Sequence, residues 1–247
     1  GFDLKQVREL FITHHHFDHI GRLFACLGHK MMMHRHQPMN IYGPPGTSKI
    51  LDHLIAACDI PQATGFSVPG QTLPHPRDFI NSRDIQPGEI LYIDDIRISC
   101  CENTHYRPED QFGKQGPISL SYRFDAPDRS MVFTGDTGPC LALEEFAKNA
   151  DLLVGELFDT ELVINRLRAT NPDMSDHALL QMRQHFDEHH LTPEDLGQLA
   201  SRAGVKKVVA VHIPFITKSA EEDAKYVSRI LAKFSGSVTI SEDLAAY

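Results

Sequence analysis

A chain of 247 residues, 41% hydrophobic and 23% charged, can bury one large core or at most two small ones. Its net charge of −9, with lysine and arginine scattered rather than run together, argues against a partner gripped by its phosphate backbone. No apolar run reaches membrane-spanning length, and five cysteines without CxxC spacing point away from a disulfide framework and towards a reducing, cytoplasmic compartment.

The chain opens on Gly1 rather than Met, and Gly1 to Val7 reads as the approach to a strand containing Leu10-Phe11-Ile12. That strand runs into Thr13-His14-His15-His16-Phe17-Asp18-His19. Residues i and i+2 of an extended segment face the same way, so His14 and His16 can converge on one ion while His15 points aside. Asp18 and His19 fall where a helix starts, placed to turn towards a second ion. Imidazole and carboxylate are the ligands expected for zinc or a similar first-row divalent metal. An affinity-tag remnant would sit at a terminus, lack the aspartate, and not lie between a strand and a helix.

A helix over residues 20–27 is expected to end at Gly28. His34-Arg35-His36 repeats the i, i+2 spacing without the Asp-His continuation and reads as surface or strand edge. Asn40 to Lys49 imitates a phosphate-binding loop, but Ser48 stands where the second glycine is needed and Ile50 where the hydroxyl is needed. A strand, a Pro/Gly turn and a helix over 51–57 account for it better. Residues 61–88 lack periodicity and read as loops with short strands.

Strands follow at 90–93 and 96–100, the second leading into Asn103-Thr104-His105. Further strands at 118–124 and 130–134 lead to Gly135-Asp136-Thr137-Gly138. Beyond Asp136 the pattern becomes strand–helix alternation: a helix over 141–148, a strand over 151–155 ending at Glu156, and helices over 161–168 and 175–188. Thr192-Pro193-Glu194-Asp195 starts another helix, with Thr as cap and Pro at the first position. A strand over 207–211 ends at His212, and a helix over 220–234 and a strand over 237–241 close the chain. His14, His105, Asp136, Glu156 and His212 each stand at the end of an apolar strand, where a layered α/β fold gathers residues distant in sequence.

The stretch His14-x-His16-x-Asp18-His19 resembles the His-x-His-x-Asp-His signature of the metallo-β-lactamase superfamily, and the resemblance extends over essentially the whole chain. It implies an α/β fold, a four-layer αββα sandwich of two mixed β-sheets whose N-terminal strands are missing from this sequence. The chain would be one domain over 1–247, with a helical cap insertion at about 158–189. The resemblance implies that His14, His16 and His105 bind a first metal, that Asp18, His19 and His212 bind a second, and that Asp136 bridges them. Two divalent ions, zinc first with manganese or iron as alternatives, would hold a bridging hydroxide at neutral pH. Asp18 would also orient that hydroxide.

His190-Leu191-Thr192-Pro193-Glu194 is similar to the His-Ser-Thr region of the ribonuclease Z and arylsulfatase-like branch. The similarity implies that His190 meets the substrate and that Glu156 orients it as a proton donor. His189 replaces the glycine usual there. The glycine- and proline-rich arm by which ribonuclease Z grips tRNA has no room between His105 and Asp136. The expected activity is therefore hydrolysis of a small phosphodiester or related ester, with nucleic acid and membrane not expected as partners. A lactonase, with Tyr106 as a candidate for holding the carbonyl, is the alternative. A tRNA 3′-processing endonuclease and a diiron redox protein, which usually has Glu where His16 stands, come behind. A homodimer is plausible from the branch.

Overall fold

In the computed structural model the described residues are 3–33, 37–106, 116–214 and 219–247, so His34 and His36 lie outside them. The chain divides into two compact units, Gly1–Gln86 and Pro87–Tyr247, each with its own core.

In the first unit, β1 (Glu9–Phe11) is followed by helices α1 (Phe17–Ile20) and α2 (Leu23–Met32). Next come β2 (Met39–Gly43), α3 (Thr47–Ala56), α4 (Asp59–Thr64) and β3 (Ile80–Asp84). The strands pair in the order β1-β2-β3, all parallel. The small sheet is thus not mixed, as expected, but parallel among the described residues, because helical segments separate its strands in the chain. Glu9, Asn40 and Asn81 stand side by side in the register, and their side chains form a hydrogen-bonded row. Leu23, Leu27, Met31, Met39, Ile41 and Leu51 fill the core.

Several boundaries differ from expectation: α3 starts at Thr47 rather than 51 and the helix after β9 stops at Leu231 rather than 234, and two further differences have a physical reason. The single helix over 20–27 is two helices broken after Ile20, and α2 continues through Gly28 to Met32. Gly28 does not adopt a left-handed conformation and its missing Cβ faces open space, so nothing there ends the helix. Residues 61–88 hold part of α4 and the whole of β3, a strand whose single buried residue, Ile80, leaves no alternation to read. The loop after β2 carries no phosphate geometry; Asp84 fills the α3 N-terminus instead, accepting from Gly46 N–H and Ser48 N–H at 2.8 Å each.

The second unit holds β4 (Ile90–Ile93), β5 (Ile96–Glu102), β6 (Leu120–Asp125), β7 (Ser130–Phe133) and α5 (Leu141–Phe146). It continues with β8 (Leu152–Glu156), α6 (Thr160–Thr170), α7 (Asp176–His189) and α8 (Pro193–Ala203). β9 (Lys207–Val211), α9 (Ala220–Leu231) and β10 (Ser237–Ile240) complete it. The seven strands run β10-β9-β8-β7-β6-β5-β4 in a mixed sheet, antiparallel from β4 to β7 and parallel from β7 to β10. Because β7, β8 and β9 are adjacent and parallel, the residues that follow them emerge at one edge. β5, two antiparallel steps from β7, ends at the same edge. Among the described residues no helix is long and apolar enough to cross a membrane.

Candidate metal centre

In the first unit, the motif leaves β1 in extended form and closes into α1 at His16. His14 is fully buried, its Nδ1 3.1 Å from Thr13 Oγ1. Its ring lies 4.9 Å from that of His16 and 4.0 Å from that of His19, and Asp18 Oδ2 lies 3.4 Å from His19 Nε2. The structure therefore brings His14, His16 and His19 together with Asp18 beside them. His15 goes the other way. Thr47 donates its hydroxyl to the Pro44 carbonyl, so it accepts from His15 Nε2–H at 2.8 Å. Burial holds the His15 imidazole below its ordinary range, against an opposing pull from Asp84.

In the second unit, the edge where β5, β7, β8 and β9 end carries His105, Asp136, Glu156 and His212. Asp136 is 3% and Glu156 1% exposed, so neither carboxylate is a solvated surface group. Asp136 turns one oxygen to each side: Oδ2 lies 3.9 Å from His105 Nε2 and Oδ1 3.7 Å from His212 Nδ1. Those separations are too long for direct hydrogen bonds. They suit donors that share an ion, since ligand atoms each about 2.0–2.2 Å from one centre stand roughly 3–4 Å apart. The donor atoms of His105, Asp136 and His190 lie within 4.8 Å of one another, as do those of Asp136, Glu156 and His212. The site residues thus fit a divalent metal by spacing and chemistry. His212 holds a left-handed φ of 53°, unusual for a residue other than glycine, which turns the chain directly after β9.

Supporting bonds orient these side chains. His105 donates Nδ1–H to the His189 carbonyl (3.0 Å), which leaves Nε2 directed at Asp136. Asn103 accepts from the His105 N–H and donates to Ser121 Oγ and the Thr134 carbonyl, tying β5, β6 and β7 together behind the site. Glu156 divides its oxygens: Oε1 accepts from Thr137 N–H (2.5 Å) and Oε2 faces His190 Nδ1 at 2.8 Å. The His190 ring stacks on Phe158 at 4.4 Å. Tyr106 lies beside His105, with ring centres 5.2 Å apart.

Sequence reading assigned no role to Asn103, Thr137, Phe158 or His189. Asn103 and Thr137 flank His105 and Asp136 so closely that their position was the available signal; His189 stood out only as a replacement for the glycine usual beside His190, and nothing pointed to Phe158. Gly138 appeared only in the stretch at which a strand stops. A Cβ there would lie 1.8 Å from the Glu188 carbonyl oxygen, so glycine is what lets the end of α7 approach.

Residues 2–213 match the family model described as the beta-lactamase superfamily domain. The chain belongs to the metallo-β-lactamase superfamily. It is a hydrolase of that superfamily, whose members typically bind divalent metals, and its relatives lie in the ribonuclease Z-like branch. The ribonuclease Z of Mycolicibacterium gilvum is 25% identical over 99% of this chain and 78% of its own length. That of Mycobacterium avium is 26% identical over 99% and 80%. Among solved structures, the metallo-β-lactamase fold protein YhfI from Bacillus subtilis superposes with a TM-score of 0.64. It is 16% identical and matches 97% of this chain and 76% of that one. The short form of human tRNase Z gives 0.59 at 15% identity, over 99% and 80%.

Proposed function

We propose that the chain is a dinuclear metal-dependent phosphodiesterase in which the two units work as one metallo-β-lactamase-like domain. The observation that carries this reading is the two-sided carboxylate of Asp136, one oxygen towards His105 and the other towards His212. The family pattern completes the ligand set: His14, His16 and His105 for one ion, Asp18, His19 and His212 for the other, and Asp136 between them. Zinc suits the imidazole-rich donors best, with manganese or iron as alternatives. When bound, such an ion pair supplies an acidified water, its pKa lowered from ~15.7 towards ~7, and polarises the substrate oxygen.

The chain's own groups supply the rest. Asp18 orients the attacking water. As the new P–O bond forms and the leaving P–O bond breaks, His190 gives the departing oxygen a proton from Nε2. Glu156 holds Nδ1 of that ring, and Phe158 covers its face against water. The segment 158–189, standing between Glu156 and His190 in the chain, forms a cap that selects substrate.

The substrate class has two readings. The acidic net charge favours a small diester. The ribonuclease Z relatives, which match 99% of the chain, favour RNA and count against setting nucleic acid aside. Metal analysis with turnover of bis(p-nitrophenyl) phosphate and of a tRNA precursor separates them. About two ions per chain are expected, with diester turnover that His190→Ala lowers ~10²–10⁴-fold without loss of metal. Cleavage of the precursor at its 3′ end would move the reading to tRNA processing. A protein that holds no metal and hydrolyses neither substrate defeats the proposal.

A further inference from the structure

His189, the last residue of α7, is buried, and no motif assigns it a role. Its Nδ1 lies 2.8 Å from the Thr104 carbonyl oxygen, while its own carbonyl oxygen lies 3.0 Å from Nδ1 of His105. A carbonyl oxygen only accepts, so both rings carry their proton on Nδ1 and donate it. The two bonds run in opposite directions between the end of α7 and the segment that carries His105. One holds the backbone from which His105 hangs; the other holds its ring and leaves Nε2 facing Asp136. The clasp has little room to slide, because the Glu188 carbonyl is seated where a Cβ of residue 138 would be.

We propose that His189 is a positioning residue for the metal ligand His105, its imidazole fixing the backbone that carries that ligand through the Thr104 carbonyl. The inference rests on the metal-centre reading above and goes beyond it, since the family pattern has glycine at this place. Partners that orient a metal-bound histidine typically matter ~10- to 100-fold for metal affinity.

The test is zinc titration into the metal-free protein against a chromophoric chelator, for wild type, His189→Ala and His189→Asn. Urea unfolding of each metal-free protein is measured alongside. Asparagine offers an N–H close to where Nδ1 stands. Zinc affinity should fall ~10- to 100-fold in His189→Ala and recover most of that loss in His189→Asn, beyond any difference in metal-free stability. If His189→Ala does not fold, His189→Gln replaces it, because it carries the same amide one methylene further out. Wild-type affinity in His189→Ala overturns the inference, as does equal weakening in the alanine and asparagine variants. Those results leave the metal-centre reading standing. A wild-type protein that binds no zinc overturns both.

Discussion

At the scale of single residues, the second unit depends on groups with two obligations. Glu156 is one: its carboxylate accepts from Thr137 N–H with one oxygen and meets His190 Nδ1 with the other. A glutamine keeps the volume but has only one accepting oxygen, so either Thr137 or His190 faces an N–H instead. Glu156→Gln should therefore lower diester turnover ~10²–10⁴-fold while metal content stays at the wild-type level, read by single-turnover kinetics and metal analysis. Loss of metal in this variant would instead make Glu156 a ligand. Gly138 is the other. Its α-hydrogen faces the Glu188 carbonyl, and a methyl group there would sit 1.8 Å from that oxygen. Gly138→Ala must push the end of α7 outward, at a cost of about 1–3 kcal/mol in urea unfolding, as for other overpacked sites. An unchanged midpoint would mean that the approach is looser than described. These contacts also divide what residues can announce from what they cannot. His14 and His16 were readable because extended chain alternates. The contact His189 makes was not, because its partner Thr104 is distant in sequence and no spacing rule links a helix end to a strand end.

At the scale of elements, legibility followed periodicity. The strands over 90–93 and 207–211 and the start of α8 fall where the apolar pattern and cap residues put them, with Thr192 capping and Pro193 in first position. β3 escaped because Asn81, Ser82 and Arg83 are exposed, and α2 outran Gly28 because a glycine stops a helix only when it turns left-handed. Helix-to-helix fastening was equally hidden. Arg229 of α9 forks onto Glu194 at the start of α8 (2.7 and 2.9 Å) and reaches Asp159, the N-cap of α6, at 2.8 Å. The Arg229 bond holds the Glu194 carboxyl below the usual carboxylate range, ahead of the opposing effect of burial. A group whose folded pKa is depressed stabilises above its unfolded value, ~4.3 for Glu, and loses that contribution as pH falls through the folded value. Arg229→Met should therefore cost about 0.5–1 kcal/mol at pH 7, a modest figure because both partners are more than a third exposed. The gap to wild type should close below about pH 4. Thermal unfolding of both proteins from pH 7 to 3 measures it, and a gap independent of pH would assign the cost to lost packing.

At the scale of the whole molecule, the proposed ligands come from both units: His14, His16, Asp18 and His19 from the first, and His105, Asp136 and His212 from the second. Each unit has its own buried core, so neither needs the ion to possess an apolar interior. On the proposed ligand set, an ion would take donors from both. Binding to the folded state alone stabilises by RT ln(1 + [L]/Kd), ~4 kcal/mol at a thousandfold excess over Kd, and under the proposed ligand set that gain would require both units to be folded. Chelation of the metal-loaded protein should therefore lower the unfolding temperature and turn one transition into two, with the first unit and the second melting separately. Asp136→Ala should give a lower, split transition even in excess zinc, since it removes the carboxylate shared between the two sides. Asp84→Ala, which only uncaps α3 within the first unit, should lower stability without splitting it under the same zinc. Differential scanning calorimetry with and without chelator distinguishes these patterns. A single transition that chelation leaves in place would mean that metal does not join the halves, and the assignment of His14, His16, Asp18 and His19 to a shared centre would fall with it.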